Sequence, residues 1–225
     1  KGRPIVNSVT GEDDRLEVIL PVVAEYDLPV IGVCNDESGI SYDPKVRLEV
    51  ARKIVKRAAA YGIKPEDVIL DPLAMPVGAI NTAGIDLFML VRMIREELGC
   101  NTMCGASNIS FGLPNRHLID ATFMPMAMAA GMTTAIVNAL NVQVRQAIHA
   151  ADMLMGHDES CMRFLGAMRE AARAAENTSV SSEALATSIG GGGVTGSGPA
   201  NEAEDRRAAR EARRAARTGR SESAE

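Results

Sequence analysis

Twelve consecutive residues concentrate neutral hydrogen-bonding groups: Gly105-Ala106-Ser107-Asn108-Ile109-Ser110-Phe111-Gly112-Leu113-Pro114-Asn115-Arg116. The segment follows a short apolar run and precedes a strongly helical one. It therefore reads as a loop at the C-terminal end of a buried strand, the end at which α/β barrels place their chemistry. A loop of purely structural purpose needs Gly and Pro for its turns, but not two Asn, two Ser and an Arg. That set of donors and acceptors suits a heteroaromatic substrate better than a free ion.

Other polar residues stand at the ends of apolar runs. Asp71 closes one and is followed at once by Pro72. A carboxylate there can accept two hydrogen bonds from a planar, amidine-like edge; the alternative is an N-cap or loop Asp. Asn7 lies at the end of the first run, and its amide can read a ring edge whatever the protonation of the ring. Asn138, near the end of the last run, could line the same cavity. Ser107 and Ser110 read as residues that hold their loop. His117, His149 and His157 have no mutual spacing that builds a metal site, and each reads as an ordinary surface or helix His. Cys34, Cys100, Cys104 and Cys161 form no CxxC pair and read as small buried thiols in a reducing cytosol.

The elements that must position these groups follow from periodicity. Five apolar runs read as buried parallel strands: Pro4–Val9, Pro29–Cys34, Val68–Leu73, Thr102–Ala106 and Thr133–Ala139. Helical segments lie between them: Leu16–Tyr26, Val46–Tyr61, Ile85–Leu98 and Leu118–Ala130, the second and third stopped by Gly62 and Gly99. Strict alternation of this kind argues α/β with a parallel sheet. Val142–Met155 and Met162–Ala175 read as closing helices. Beyond them, Thr178 to Pro199 is a Ser/Thr/Gly-rich linker, and Glu202–Arg220 interleaves Arg and Ala with acids as a solvated or disordered tail.

The loop residues Ser107 to Arg116 resemble the signature loop of the pterin-binding methyltransferases that move a methyl group between tetrahydrofolate and a protein-bound cobalamin. That family includes the methyltetrahydrofolate:corrinoid protein methyltransferases and the folate domain of cobalamin-dependent methionine synthase. Val6-Asn7-Ser8, Asp36-Glu37-Ser38-Gly39 and Asp71-Pro72-Leu73 recur in the family's order and at similar separations. Together the four matches cover about residues 1–170.

The resemblance implies a TIM (β/α)8 barrel of which this chain, amino-truncated, carries about strands four to eight, since a closed barrel needs eight. Residues 1–177 would form the partial pterin-binding barrel with its closing helices, and 178–225 the linker and disordered tail. The chain begins Lys-Gly-Arg-Pro, without Met, and reads as starting within a longer protein. On that alignment the third family strand, which carries a further pterin-contacting Asp, would precede Lys1.

The resemblance also implies an enzyme, with roles for individual residues. Asn108 would be catalytic, hydrogen-bonding N5 of the folate more strongly as that nitrogen gains a proton. Asn7, Asp36, Asp71, Ser110 and Asn138 would join it in binding the pterin. Asp36-Glu37-Ser38-Gly39 has a second reading as simply a turn. Phe111 and Arg116 would touch the corrinoid or the folate tail, although Arg116 also reads as a surface Arg opening a helix. The substrate would be 5-methyltetrahydrofolate or tetrahydrofolate, and the cobalamin would sit on a partner corrinoid protein. A cytoplasmic homodimer, with no resident metal and no nucleic-acid or membrane partner, completes the expectation. A net charge of −5 gives no electrostatic case for nucleic acid. The competing readings are a dihydropteroate synthase-like enzyme, which needs basic residues for a pyrophosphate, and a non-catalytic fragment that docks a corrinoid protein.

Overall fold

The computed structural model describes residues 2–174; the expected linker and tail lie outside the described residues. Four apolar runs form parallel strands, β1 (Val6–Thr10), β2 (Val30–Val33), β3 (Val68–Asp71) and β4 (Asn101–Thr102), in the order β1-β2-β3-β4. Helices α1 (Asp13–Glu25), α2 (Pro44–Ala60) and α3 (Ala83–Leu98) connect them. After β4 come α4 (Arg116–Ala129), α5 (Val142–Leu154) and a last helix, α6, over 162–174.

Helix ends follow local chemistry. Asp43 caps α2, its side chain accepting from Lys45 N at 2.8 Å, and Pro44 fills the first turn, where no donor is missed. Gly99 ends α3 in the left-handed conformation at φ +65°. Asn141 caps α5 by accepting from Val144 N at 3.2 Å.

The sheet has two chemically distinct faces. Val30, Cys34, Val68 and Leu70 point to the helices, where they meet Leu16, Leu20, Ile54, Leu90 and Ile94 in the main core. Ile31, Ile69 and Met103 form a smaller cluster on the other face, with Val33 packed against it. β1 joins that face through an irregularity: Asn7 pairs with Ile31 and Thr10 with Val33, while the register shifts between Asn7 and Val9. Partners across a parallel ladder share a face, so the bulge brings both Asn7 and Thr10 to the side of Ile31 and Val33.

The fifth expected strand is not formed as a strand. Residues 133–136 run beside β4, with Thr134 N on Thr102 O, Ile136 N on Cys104 O and Ala106 N on Ile136 O. Only the bridge between Gly105 and Ile136 is regular. The reason lies at Thr133. Its hydroxyl accepts from Thr102 N and donates to Thr102 O, both at 2.9 Å, so a side chain takes backbone groups that a ladder would use. The same competition leaves β4 at two residues instead of the five expected.

Candidate functional site

In a parallel sheet every strand ends on the same side, so the segments after β1 to β4 and after 136 converge by topology. Asp71 is the last residue of β3 and stands level with Val33 and Thr10 in the register. It shares their face. Its Oδ1 accepts from Leu73 N at 2.8 Å. Burial pushes its carboxyl up from 3.8 to about 6, and the Leu73 N–H pulls in the opposite direction. Such a group is ionised at neutral pH yet weakly solvated, an acceptor with little competition from water.

The loop after β4 is tied down from within. Ser110 is fully buried; its Oγ donates to Ser107 O at 3.2 Å and accepts from Arg116 Nε at 3.1 Å. Arg116 Nη2 donates to Ser107 O at 2.6 Å, and its guanidinium lies 5.9 Å from the centroid of the exposed Phe111 ring. Val77 N, from the loop after β3, bonds Ile109 O at 2.9 Å and joins the two loops. Asn108 closes a short 3-10 turn, Ala106–Asn108. Its side chain is exposed and has no hydrogen-bond partner among the described residues.

Gly105 makes room for that amide. A Cβ there would stand 3.2 Å from Asn108 Nδ2. Gly105→Ala should therefore displace the Asn108 amide. The Asn108 side-chain amide resonances in a 15N NMR spectrum check this, and unmoved resonances would dismiss the role given to the glycine.

The remaining candidates divide by what already occupies them. Asn7 is exposed, and its amide has no partner among the described residues. It is the second residue of β1, level with Ile31 and Ile69, and so lies deeper than the strand end expected for it. Asp36 sits in a turn: its Oδ1 accepts from Ser38 N at 3.0 Å and Ser38 Oγ at 2.6 Å, and Gly39 N bonds its carbonyl at 2.8 Å. That turn aims Glu37 at the start of α1, where Glu37 accepts from Asp13 N at 2.6 Å. Asn138 is also in a local turn, accepting from Leu140 N at 3.0 Å.

Two residues join the site that periodicity alone did not mark. Thr10 Oγ1 is buried on the Asp71 rung without a partner among the described residues. Arg47, 2% exposed, donates through Nη1 to Pro72 O and Leu73 O behind Asp71. Their signals were faint: a Thr two places past the bulge, and an Arg on the apolar stripe of α2.

The two thiols that face Asp71 are held protonated. Burial, reinforced by the Asp71 charge, pushes Cys104 up to about 12 and Cys34 further still. A cavity of about 500 Å³ among the described residues is lined by Met124, Met128, Met132, Arg95 and His157. Its walls include residues 131–135 and Val137 but none of Asn7, Asp36, Asp71 or Asn108.

Comparison with known proteins speaks to the family and the fold. The pterin binding enzyme family matches residues 1–138. A methylcorrinoid:tetrahydrofolate methyltransferase of Eubacterium limosum is 30% identical over 169 residues, 74% of this chain and 62% of that protein. The dihydropteroate synthase of Yersinia pestis superposes with a TM-score of 0.54 at 16% identity, over 68% of this chain and 64% of that one. A dihydropteroate synthetase solved with a product gives 0.53 at 14% identity, over 68% and 60%. The chain thus spans less than two thirds of each of these relatives, and the structural likenesses speak for the fold alone. With more than half of its length matched by the family, the chain belongs to the pterin-binding enzymes.

Proposed function

We propose that the protein is a methyltransferase that moves a methyl group between N5 of tetrahydrofolate and the cobalt of a corrinoid carried by a separate protein. The observation that carries this reading is the Asn108 amide, exposed and unpartnered among the described residues on a loop braced by Ser110 and Arg116. The activity named for the Eubacterium limosum relative supports the same reaction class. The methyl carbon loses its bond to N5 and gains one to cobalt, or the reverse, and N5 correspondingly takes up or releases a proton. The corrinoid supplies the nucleophile or the methyl donor. The protein then has only to hold the ring and stabilise N5 as its charge changes, a task for amides and one carboxylate.

In this reading Asp71 accepts from the pterin 2-amino group and N3–H, and Asn108 meets N5. Asn7 reads the ring from deeper on the same face. Asp36 and Asn138 take part through the lone pairs that their turns leave free. Ser110 acts by fixing the loop. Phe111 offers an exposed ring to the corrinoid or the folate tail, while Arg116 contributes chiefly by bonding the loop.

The commitment of Arg116 also weighs against the dihydropteroate synthase alternative. It is the only cation in Gly105 to Arg116, and two of its nitrogens are given to Ser107 and Ser110. A pyrophosphate leaving group would need such a charge facing outward. Mixing the protein with methyltetrahydrofolate and free cob(I)alamin in a stopped-flow instrument should yield methylcobalamin. Its absence across about pH 5 to pH 8, together with dihydropteroate formed from the pterin pyrophosphate, would install the alternative.

The architecture belongs to the same proposal: β1 to β4, with residues 133–136 running beside β4, would correspond to strands four to eight of a (β/α)8 barrel, within a domain ending near residue 177. A homodimer fits it too. Ile85, Phe88, Leu118 and Met126 line an apolar groove between α3 and α4, a surface that a second copy would cover. Sedimentation velocity should show paired chains, and Leu118→Glu should return them to single chains; a wild-type protein sedimenting as one chain would reject the dimer.

A further inference from the structure

Helix α2 turns one cation toward the sheet instead of water. Arg47 is 2% exposed; its Nη1 donates to Pro72 O at 2.6 Å and to Leu73 O at 3.1 Å. Its Nε is buried without a partner among the described residues. Desolvation lowers its pKa from the ordinary guanidinium value, which marks the burial as unfavourable in itself. Leu or Met would fill the same space without a charge to desolvate.

What the guanidinium holds accounts for its presence. Pro72 O and Leu73 N belong to one peptide unit, and that Leu73 N–H donates to Asp71 Oδ1 at 2.8 Å. One peptide thus carries the guanidinium on its carbonyl and the carboxylate on its amide. Leu73 sits at φ +63°, a left-handed conformation that a Leu keeps only where its surroundings impose it. The second bond, to Leu73 O, supplies that constraint.

We propose that Arg47 is a positioning residue for ring recognition: it fixes and polarises the Pro72–Leu73 peptide, so that the amide end sets the direction and strength of the Asp71 carboxylate. The proposal rests on Asp71 being the ring-binding group. Hydrogen bonds in series strengthen one another, and a better donor on Oδ1 favours the ionised carboxylate. Cys34 from the end of β2 and Cys104 from beyond β4 also face Asp71, while Cys34, Asp43 and Asp86 face Arg47. None of these is a cation that could replace the guanidinium.

The test uses the full chain as wild type, Arg47→Met and Arg47→Lys. The Asp71 carboxyl is titrated by 13C NMR, and methyltetrahydrofolate binding is measured by calorimetry. In Arg47→Met the Asp71 midpoint should rise by about half to one pH unit. Affinity should fall about tenfold, while turnover at saturating folate stays within about twofold. Arg47→Lys, whose ammonium can serve one carbonyl but not brace the turn, should shift the midpoint by a smaller amount in the same direction. A lower melting temperature with an unmoved midpoint would mean that Arg47 only stabilises the fold, and overturns the proposal. If Arg47→Met does not fold, the Arg47→Lys midpoint decides alone, and no shift there is equally fatal. Wild-type affinity in Asp71→Asn would remove the ring-binding assignment and the recognition role with it. An unmoved midpoint beside a weakened Asp71→Asn would remove the Arg47 role only.

Discussion

Asn108→Ala should slow methyl transfer by about 10²–10³ while leaving the dissociation constant of methyltetrahydrofolate within about threefold. The asymmetry comes from timing. An amide at N5 bonds a nearly neutral nitrogen in the ground state and a charged one at the transition state, so its loss falls mainly on the barrier. The expected loss corresponds to about 2.7–4 kcal/mol. Stability cannot be its source: the Asn108 side chain is exposed and bonds nothing among the described residues, and removing such a side chain usually shifts folding by about 0.5 kcal/mol or less. The backbone of the turn stays, since Asn108 N on Gly105 O and Phe111 N on Asn108 O do not involve the side chain. Single-turnover rates and calorimetric affinities, measured on one preparation, check the split. Equal losses in both would show that Asn108 grips the ring in every state.

The order of the sheet was legible because its strands are short apolar runs bounded by Gly, Pro and Asp, although β3 stops short of the expected Leu73 and β4 short of Ala106. β3 ends at Asp71, and α3 stops at Gly99. The last run was not legible in the same way. Thr133 to Ala139 has the composition of a strand, but composition does not reveal that the Thr133 hydroxyl takes the Thr102 backbone. Helix starts came earlier than the apolar periodicity indicated, because first turns are polar: α1 opens with Asp13-Asp14 and α4 with Arg116-His117.

At the candidate site, residue type and strand position were enough to single out Asp71 at a strand end and Asn108 in the loop after β4. Asp36 shows the limit of that approach. Its turn-forming tetrapeptide serves two readings, and only the bonds to Ser38 reveal that one oxygen is already committed. Arg47 shows the opposite limit. A charged residue on an amphipathic helix reads as solvent-facing, and its burial depends on carbonyls 25 and 26 residues away. Long-range partners of that kind leave no local pattern to find.

Asp71→Asn should unfold at a higher temperature than the wild type at about pH 8, and yet lose methyltetrahydrofolate affinity by about 10²–10³. The Asp71 carboxyl titrates at about 6 in the folded chain against 3.8 when unperturbed, because burial disfavours its charge. Between those values the folded chain binds more protons than the unfolded one, so stability falls as pH rises through the window. Above it the whole penalty is present; below about pH 4 the group is neutral in both states and the penalty vanishes. Asn has the same shape, carries no charge and can still accept from Leu73 N. Its stabilising effect should accordingly be largest at about pH 8 and disappear towards pH 4. Binding responds in the opposite sense, because a ring edge with two donors needs two acceptors and the Asn amide would turn an N–H₂ against one of them. For the same reason wild-type affinity should weaken about tenfold per pH unit below 6, as the carboxylate takes up its proton. Thermal scans and calorimetric titrations at matched pH provide both readouts. A melting-temperature gain that is equal at both ends of the range would point to packing instead of charge, and wild-type affinity that stays flat down to about pH 5 would take Asp71 out of the pterin site.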